Sequence, residues 1–95
     1  MKENPYQEDR EEMRELIRQY ENLKTGLSHS FIDEEAFEKI IGFYEEKAEL
    51  TKALEAAETA IEQYPYSSSL LIRKADLLLD LRRYRAALDI LDRAS

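Results

Sequence analysis

Residues 34–67 read EEAFEKIIGFYEEKAELTKALEAAETAIEQYPYS, and this stretch decides the fold. Phe37, Ile40, Ile41 and Tyr44 recur at steps of three and four, the spacing that gathers side chains on one face of an α-helix, with Phe43 to one side. Just ahead of them Asp33 offers a carboxylate to the free amides of a helix start, and Glu34 and Glu35 suit its positive end. The helix is expected to run to about Lys47. Gly42 in its middle costs about 1 kcal/mol relative to Ala, a cost that suggests a close backbone approach. After a turn near Ala48 and Glu49, the residues Leu50, Ala53, Leu54, Ala57, Ala60 and Ile61 form a second stripe, rich in small side chains that let helices come close. Tyr64-Pro65 ends it, because proline cannot continue the ladder and restricts the residue before it.

Working outward, Met13, Leu16, Ile17, Tyr20 and Leu23 give the segment from Tyr6 to Lys24 its own apolar stripe, and Gly26 supplies the stop. On the other side, the serines at 67, 68 and 69 each offer an N-cap for a helix expected over Ser69 to Leu81. Leu70, Leu71, Ile72, Leu77, Leu78, Leu79 and Leu81 surround nearly its whole axis, the pattern of a buried helix. A turn at Arg82-Arg83 is expected to lead into a fifth helix carrying Tyr84, Ala87, Leu88, Leu91 and Ala94. Turns this short imply antiparallel neighbours.

Composition agrees with an all-α chain. Ala, Glu, Lys, Leu and Arg supply 52 of 95 residues, whereas Val is absent and Thr numbers three, too few β-branched residues to favour a sheet. Leu, Ile and Phe number 23, enough to fold a highly charged chain. With no cysteine, disulfides and thiolate metal sites are excluded together, and the acidic start lacks the apolar region of a signal peptide. No apolar run approaches the roughly 20 residues of a membrane span, so the expected location is cytoplasmic.

A shift of 34 residues lays Phe37 on Leu71, Ile41 on Ala75, Tyr44 on Leu78, Ala53 on Ala87, Leu54 on Leu88 and Ala60 on Ala94. On these residues the chain resembles the tetratricopeptide repeat (TPR) family. The first copy reads Phe37, Ile40, Ile41, Tyr44, Ala53, Ala57, Ala60, Pro65; the second reads Leu71, Lys74, Ala75, Leu78, Ala87, Leu91, Ala94 and lacks the final stretch. Three positions depart from the family pattern: Ile41 replaces a small residue, Ala57 an aromatic and Lys74 an apolar one. The resemblance covers residues 34–95. It implies antiparallel helix pairs, about five helices in all, stacked as a right-handed superhelix: a capping helix and loop over 1–33, one repeat over 34–67 and a truncated repeat over 68–95.

The same resemblance implies a protein- or peptide-binding groove on the first helix of each pair, with candidate residues Glu38, Gly42, Glu45, Ile72, Arg73, Asp76 and Leu79. Ile72 and Leu79 then call for a cover: the protein's own helices, a bound peptide, a later repeat or a second copy. Family members that grip the carboxylates of chaperone tails use Lys and Asn where Glu38 and Gly42 stand, which argues against that ligand.

Chemistry of other kinds finds little support. His29 is the only histidine and has no cysteine to work with, and no glycine-rich phosphate loop, zinc spacing or hydrolase elbow occurs. Neither catalysis, nor a metal, nor a cofactor is expected. The net charge of −7 opposes nucleic acid, although residues 68–95 carry six cations against four anions. The expected function is a protein-interaction module, the N-terminal part of a longer TPR solenoid that self-associates through Leu88, Ile90 and Leu91. The alternatives are a small helical regulator that homodimerises through its fifth helix, and a non-catalytic accessory segment of an enzyme.

Overall fold

A computed structural model describes the backbone of residues 5–27 and 31–94 and the side chains of 10–27 and 31–89. Among the described residues the structure is all helix: α1 (Pro5–Lys24), α2 (Glu34–Glu46), α3 (Leu50–Gln63) and α4 (Ser68–Ala94). Each helix packs against the next in chain order. His29 lies outside the described residues.

The helix ends follow local chemistry. In α2 the Asp33 carboxylate accepts from the Ala36 amide at 2.7 Å, as its position ahead of two glutamates leads one to expect. α1 closes with Gly26 at φ +78°; the Gly26 amide donates to the Leu23 carbonyl and the Leu27 amide to that of Asn22. α2 closes with the same pair of bonds, Ala48 to Glu45 at 3.0 Å and Glu49 to Tyr44 at 2.9 Å, but here the left-handed residue is Ala48 at φ +59°. Ser67 caps α4, its hydroxyl accepting from the Leu70 amide.

The core is one cluster. Phe37, Ile40, Ile41 and Tyr44 of α2 and Ala53, Ala56, Ala57 and Ala60 of α3 are buried, joined by Leu70 and Leu77 of α4, Tyr20 of α1 and Ile32. Tyr20 stands edge-on to both Phe37 and Tyr44, at centroid distances of 6.5 and 6.4 Å, and so ties α1 to α2. Tyr64, at the end of α3, donates to the Ile32 carbonyl at 2.9 Å and holds the segment that leads into α2.

At the C-terminal end the structure departs from the sequence reading. The expected turn at Arg82-Arg83 and the separate fifth helix are replaced by one continuous α4 of 27 residues. Leu81-Arg82-Arg83-Tyr84-Arg85 contains no glycine, proline or capping side chain, and leucine and arginine are strong helix formers, so nothing interrupts the ladder. Two further expectations fall with that turn. Leu71, Ala75 and Leu78 were matched to the buried Phe37, Ile41 and Tyr44, yet among the described residues no helix folds back to cover them; Leu71 and Leu78 are 46% and 47% exposed. Nor is α4 buried all round: it turns Leu70 and Leu77 onto α3 and leaves Leu71, Ile72, Leu78, Leu79, Tyr84 and Leu88 exposed. Lys74, where the family pattern wants an apolar side chain, runs along the surface to Glu58 of α3.

Two predictions follow from these packing facts. Ala48→Gly relieves the left-handed strain and is expected to stabilise the chain by about 1 kcal/mol, whereas Gly26→Ala costs a similar amount; paired thermal melts read both. Tyr20 is sealed from solvent and its hydroxyl has no partner with hydrogen-bond geometry; the Thr59 hydroxyl, which eases its ionisation, already donates to the Glu55 carbonyl. Burial foremost, with Glu55 adding to it, pushes the Tyr20 pKa from 10.0 up to about 12. The folded chain therefore keeps a proton that the unfolded chain loses, so stability is complete below about pH 10 and falls as the pH rises toward 12. Denaturant titrations across that range are expected to show a shallower fall in Tyr20→Phe.

Candidate functional site

The candidate groove lies where α4 passes α2. Along α2, Glu38, Gly42 and Glu45 sit at steps of four and three and so share one face; on α4, Ser69 and Arg73 are a turn apart and meet it. The Ser69 hydroxyl donates to the Glu38 carboxylate, and Ser67 likewise reaches Glu34. Arg73 pairs with Glu45 at 2.6 Å through its Nη2, and the same nitrogen lies 3.7 Å from where a Cβ on Gly42 would stand. The Arg73 Nε is buried without a partner among the described residues.

The structure thus brings together four of the seven candidates, Glu38, Gly42, Glu45 and Arg73, and it does so as an internal seam. Their charges are largely answered within the chain. Ile72, Asp76 and Leu79 stay apart from them, on a side of α4 turned away from α3, with Ile72 61% and Leu79 50% exposed. Both apolar residues are surface, not core.

Gly42 marks no close backbone approach. Only the tip of the flexible Arg73 side chain comes near it, at an ordinary contact distance. The glycine cost in mid-helix is therefore uncompensated by packing.

A second concavity, which the sequence reading passed over, opens between α1 and α2. It is a broad cleft of about 1060 Å³, with Met13 and Ile17 on one wall and Phe43 on the other. Arg10, Arg14 and Arg18 line the α1 side and Lys39 and Lys47 the α2 side. Lys39 bridges to Glu12 across the two helices at 3.0 Å, and this carboxylate raises the lysine pKa. The Lys47 ammonium sits 4.5 Å from the Phe43 ring centroid. The signal was present in the sequence: Arg10, Arg14 and Arg18 follow one another at steps of four, which places all three along one side of a helix.

Among the described residues no group of three or more His, Asp or Glu side chains is arranged to hold a metal ion, and no helix is long and apolar enough to cross a membrane. No protein-family model, curated protein or solved structure matches the chain.

Gly42→Ala tests the seam. The added Cβ meets only an ordinary contact while helix propensity improves, so a gain of roughly 0.5–1 kcal/mol is expected, seen as a rise of several degrees in Tm. A drop in Tm would show that Arg73 cannot give way.

Proposed function

We propose that the chain is a protein-interaction module of TPR type, the N-terminal part of a longer solenoid, whose α4 presents an apolar surface to a protein or peptide partner. One observation carries this reading: α3 packs against both α2 and α4, and α4 holds a further apolar surface that nothing among the described residues covers. Stacked helical repeats have this property, since each unit leaves a face for the next or for a ligand. In this reading α2 and α3 form one helix pair and the first half of α4 stands where the first helix of another would lie. α1 then acts as the cap, closing the apolar flank of α2 through Tyr20.

The continuous α4 also favours the second reading, self-association. Residues 82–89 are all exposed, Tyr84 and Leu88 included, and a second copy laid against them would remove that apolar surface from water.

The test is a comparison of the wild-type chain with Ile72→Ser/Leu79→Ser. Because both positions are largely exposed, the variant is expected to keep its stability within about 0.5 kcal/mol, read by thermal melts. In affinity capture followed by sedimentation, it is expected to lose the species that the wild type retains. Equal retention by both proteins would sink the groove reading. A large fall in Tm would instead return the two residues to the core.

A further inference from the structure

We infer that the cleft between α1 and α2 is a second docking groove, separate from the exposed α4 surface, and that it takes an acidic amphipathic helix of a partner protein. The partner's carboxylates lie along Arg10, Arg14 and Arg18, and its apolar stripe rests on Met13, Ile17 and Phe43.

Charge is the first argument. The chain carries a net charge of −7, yet five cations border this cleft against two anions, Glu21 and Glu46. Such a concentration of one sign, on a molecule of the opposite sign, attracts acidic segments to that place and repels them elsewhere. The cations are also available. Arg18 and Lys39 are held by Glu15 and Glu12 in solvent-exposed pairs, which contribute little and exchange readily for a better partner. Among the described residues, Arg10, Arg14 and Lys47 form no ion pair.

Shape and spacing supply the second. Three arginines at steps of four rise about 6 Å from one to the next along α1, the same rise that separates glutamates at steps of four on an opposing helix. Between the charged borders the surface is apolar and only half buried, with a methionine that adapts to what it meets. At about 1060 Å³ the cleft lies at the upper limit for small-ligand pockets, roughly 1,000 Å³, and it is partly open to solvent. An amphipathic helix laid into a groove fits that form, with apolar anchors at helical spacing and charges to either side. A flat anionic bilayer offers the charge but cannot place hydrocarbon against a recessed Phe43.

The experiment uses the whole chain and a fluorescein-labelled synthetic helix of roughly four turns, with Leu on one face and Glu on its flanks. Two companion peptides replace every Glu by Gln or by Lys. Anisotropy titrations are expected to show binding of the Glu peptide that weakens as salt rises, with the Gln peptide weaker by roughly tenfold or more. Arg14→Glu/Arg18→Glu, both at exposed positions, is expected to reverse the preference so that the Lys peptide binds better than the Glu peptide. Should that variant melt early, Arg14→Gln/Arg18→Gln serves in its place, with the Glu peptide losing its advantage over the Gln peptide. Ile72→Ser/Leu79→Ser is expected to bind the Glu peptide as the wild type does, which separates this groove from the α4 surface. The inference is overturned if the Glu peptide does not bind, if Glu and Gln peptides bind alike, if a folded charge-reversed variant keeps the wild-type preference, or if phosphatidylserine vesicles are retained and the peptide is not.

Discussion

The smallness of one helix face governs the rest of the molecule. Ala53, Ala56, Ala57 and Ala60 are completely buried on α3, and they leave room for Phe37, Ile40, Ile41 and Tyr44 of α2 on one side and for Leu70 and Leu77 of α4 on the other. Larger residues at these positions would push the flanking helices apart, and overpacked cores lose stability by roughly 1–3 kcal/mol per substitution. The apolar volume of the core therefore comes largely from α2 and α4, which the alanine face of α3 lets approach closely enough to meet each other as well. α1 joins by different means, inserting the single ring of Tyr20 between two aromatic neighbours.

Electrostatics then divides the surface into two kinds of place. Between α2 and α4 the charges answer one another, with Arg73 on Glu45 and serines on Glu34 and Glu38, so that region serves mainly to set how the two helices sit. Between α1 and α2 they do not balance, and positive charge collects around an apolar floor. A formal net charge conceals this difference, because the negative excess is spread widely while the cations of α1 are aligned.

Much of the fold was legible in the sequence because its signals are local. Asp33 ahead of two glutamates, Gly26 after Lys24 and Pro65 after Tyr64 mark helix ends through backbone chemistry that acts within one turn. Periodicity found the buried faces of α2 and α3 as well. It misled at residues 82–83, where two apolar stripes suggest a turn between them although the side chains offer no breaker; local helix propensity prevailed. The 34-residue shift chose Leu71 and Leu78 as core, whereas Leu70 and Leu77, one position earlier, are the residues that reach α3. Of the candidate site, the resemblance put Glu38, Gly42, Glu45 and Arg73 on one groove without pairing them, and their mutual neutralisation depends on where two helices cross. No one-dimensional pattern records that, and for the cleft that α1 makes against α2 the sequence shows only the row of arginines along one wall.

The length of α4 carries a consequence for how this protein can change over generations. Where it lies on α3, substitutions at Leu70 or Leu77 meet a packed interior and are constrained by shape. Over residues 82–89 every side chain faces solvent, so the segment is restrained chiefly by the preference of its residues for the helical state. That half of the helix is open to drift in charge and size, provided glycine and proline stay out. Residues 82–89 can therefore change in charge and size without disturbing the core, which makes them the most mutable described stretch of α4.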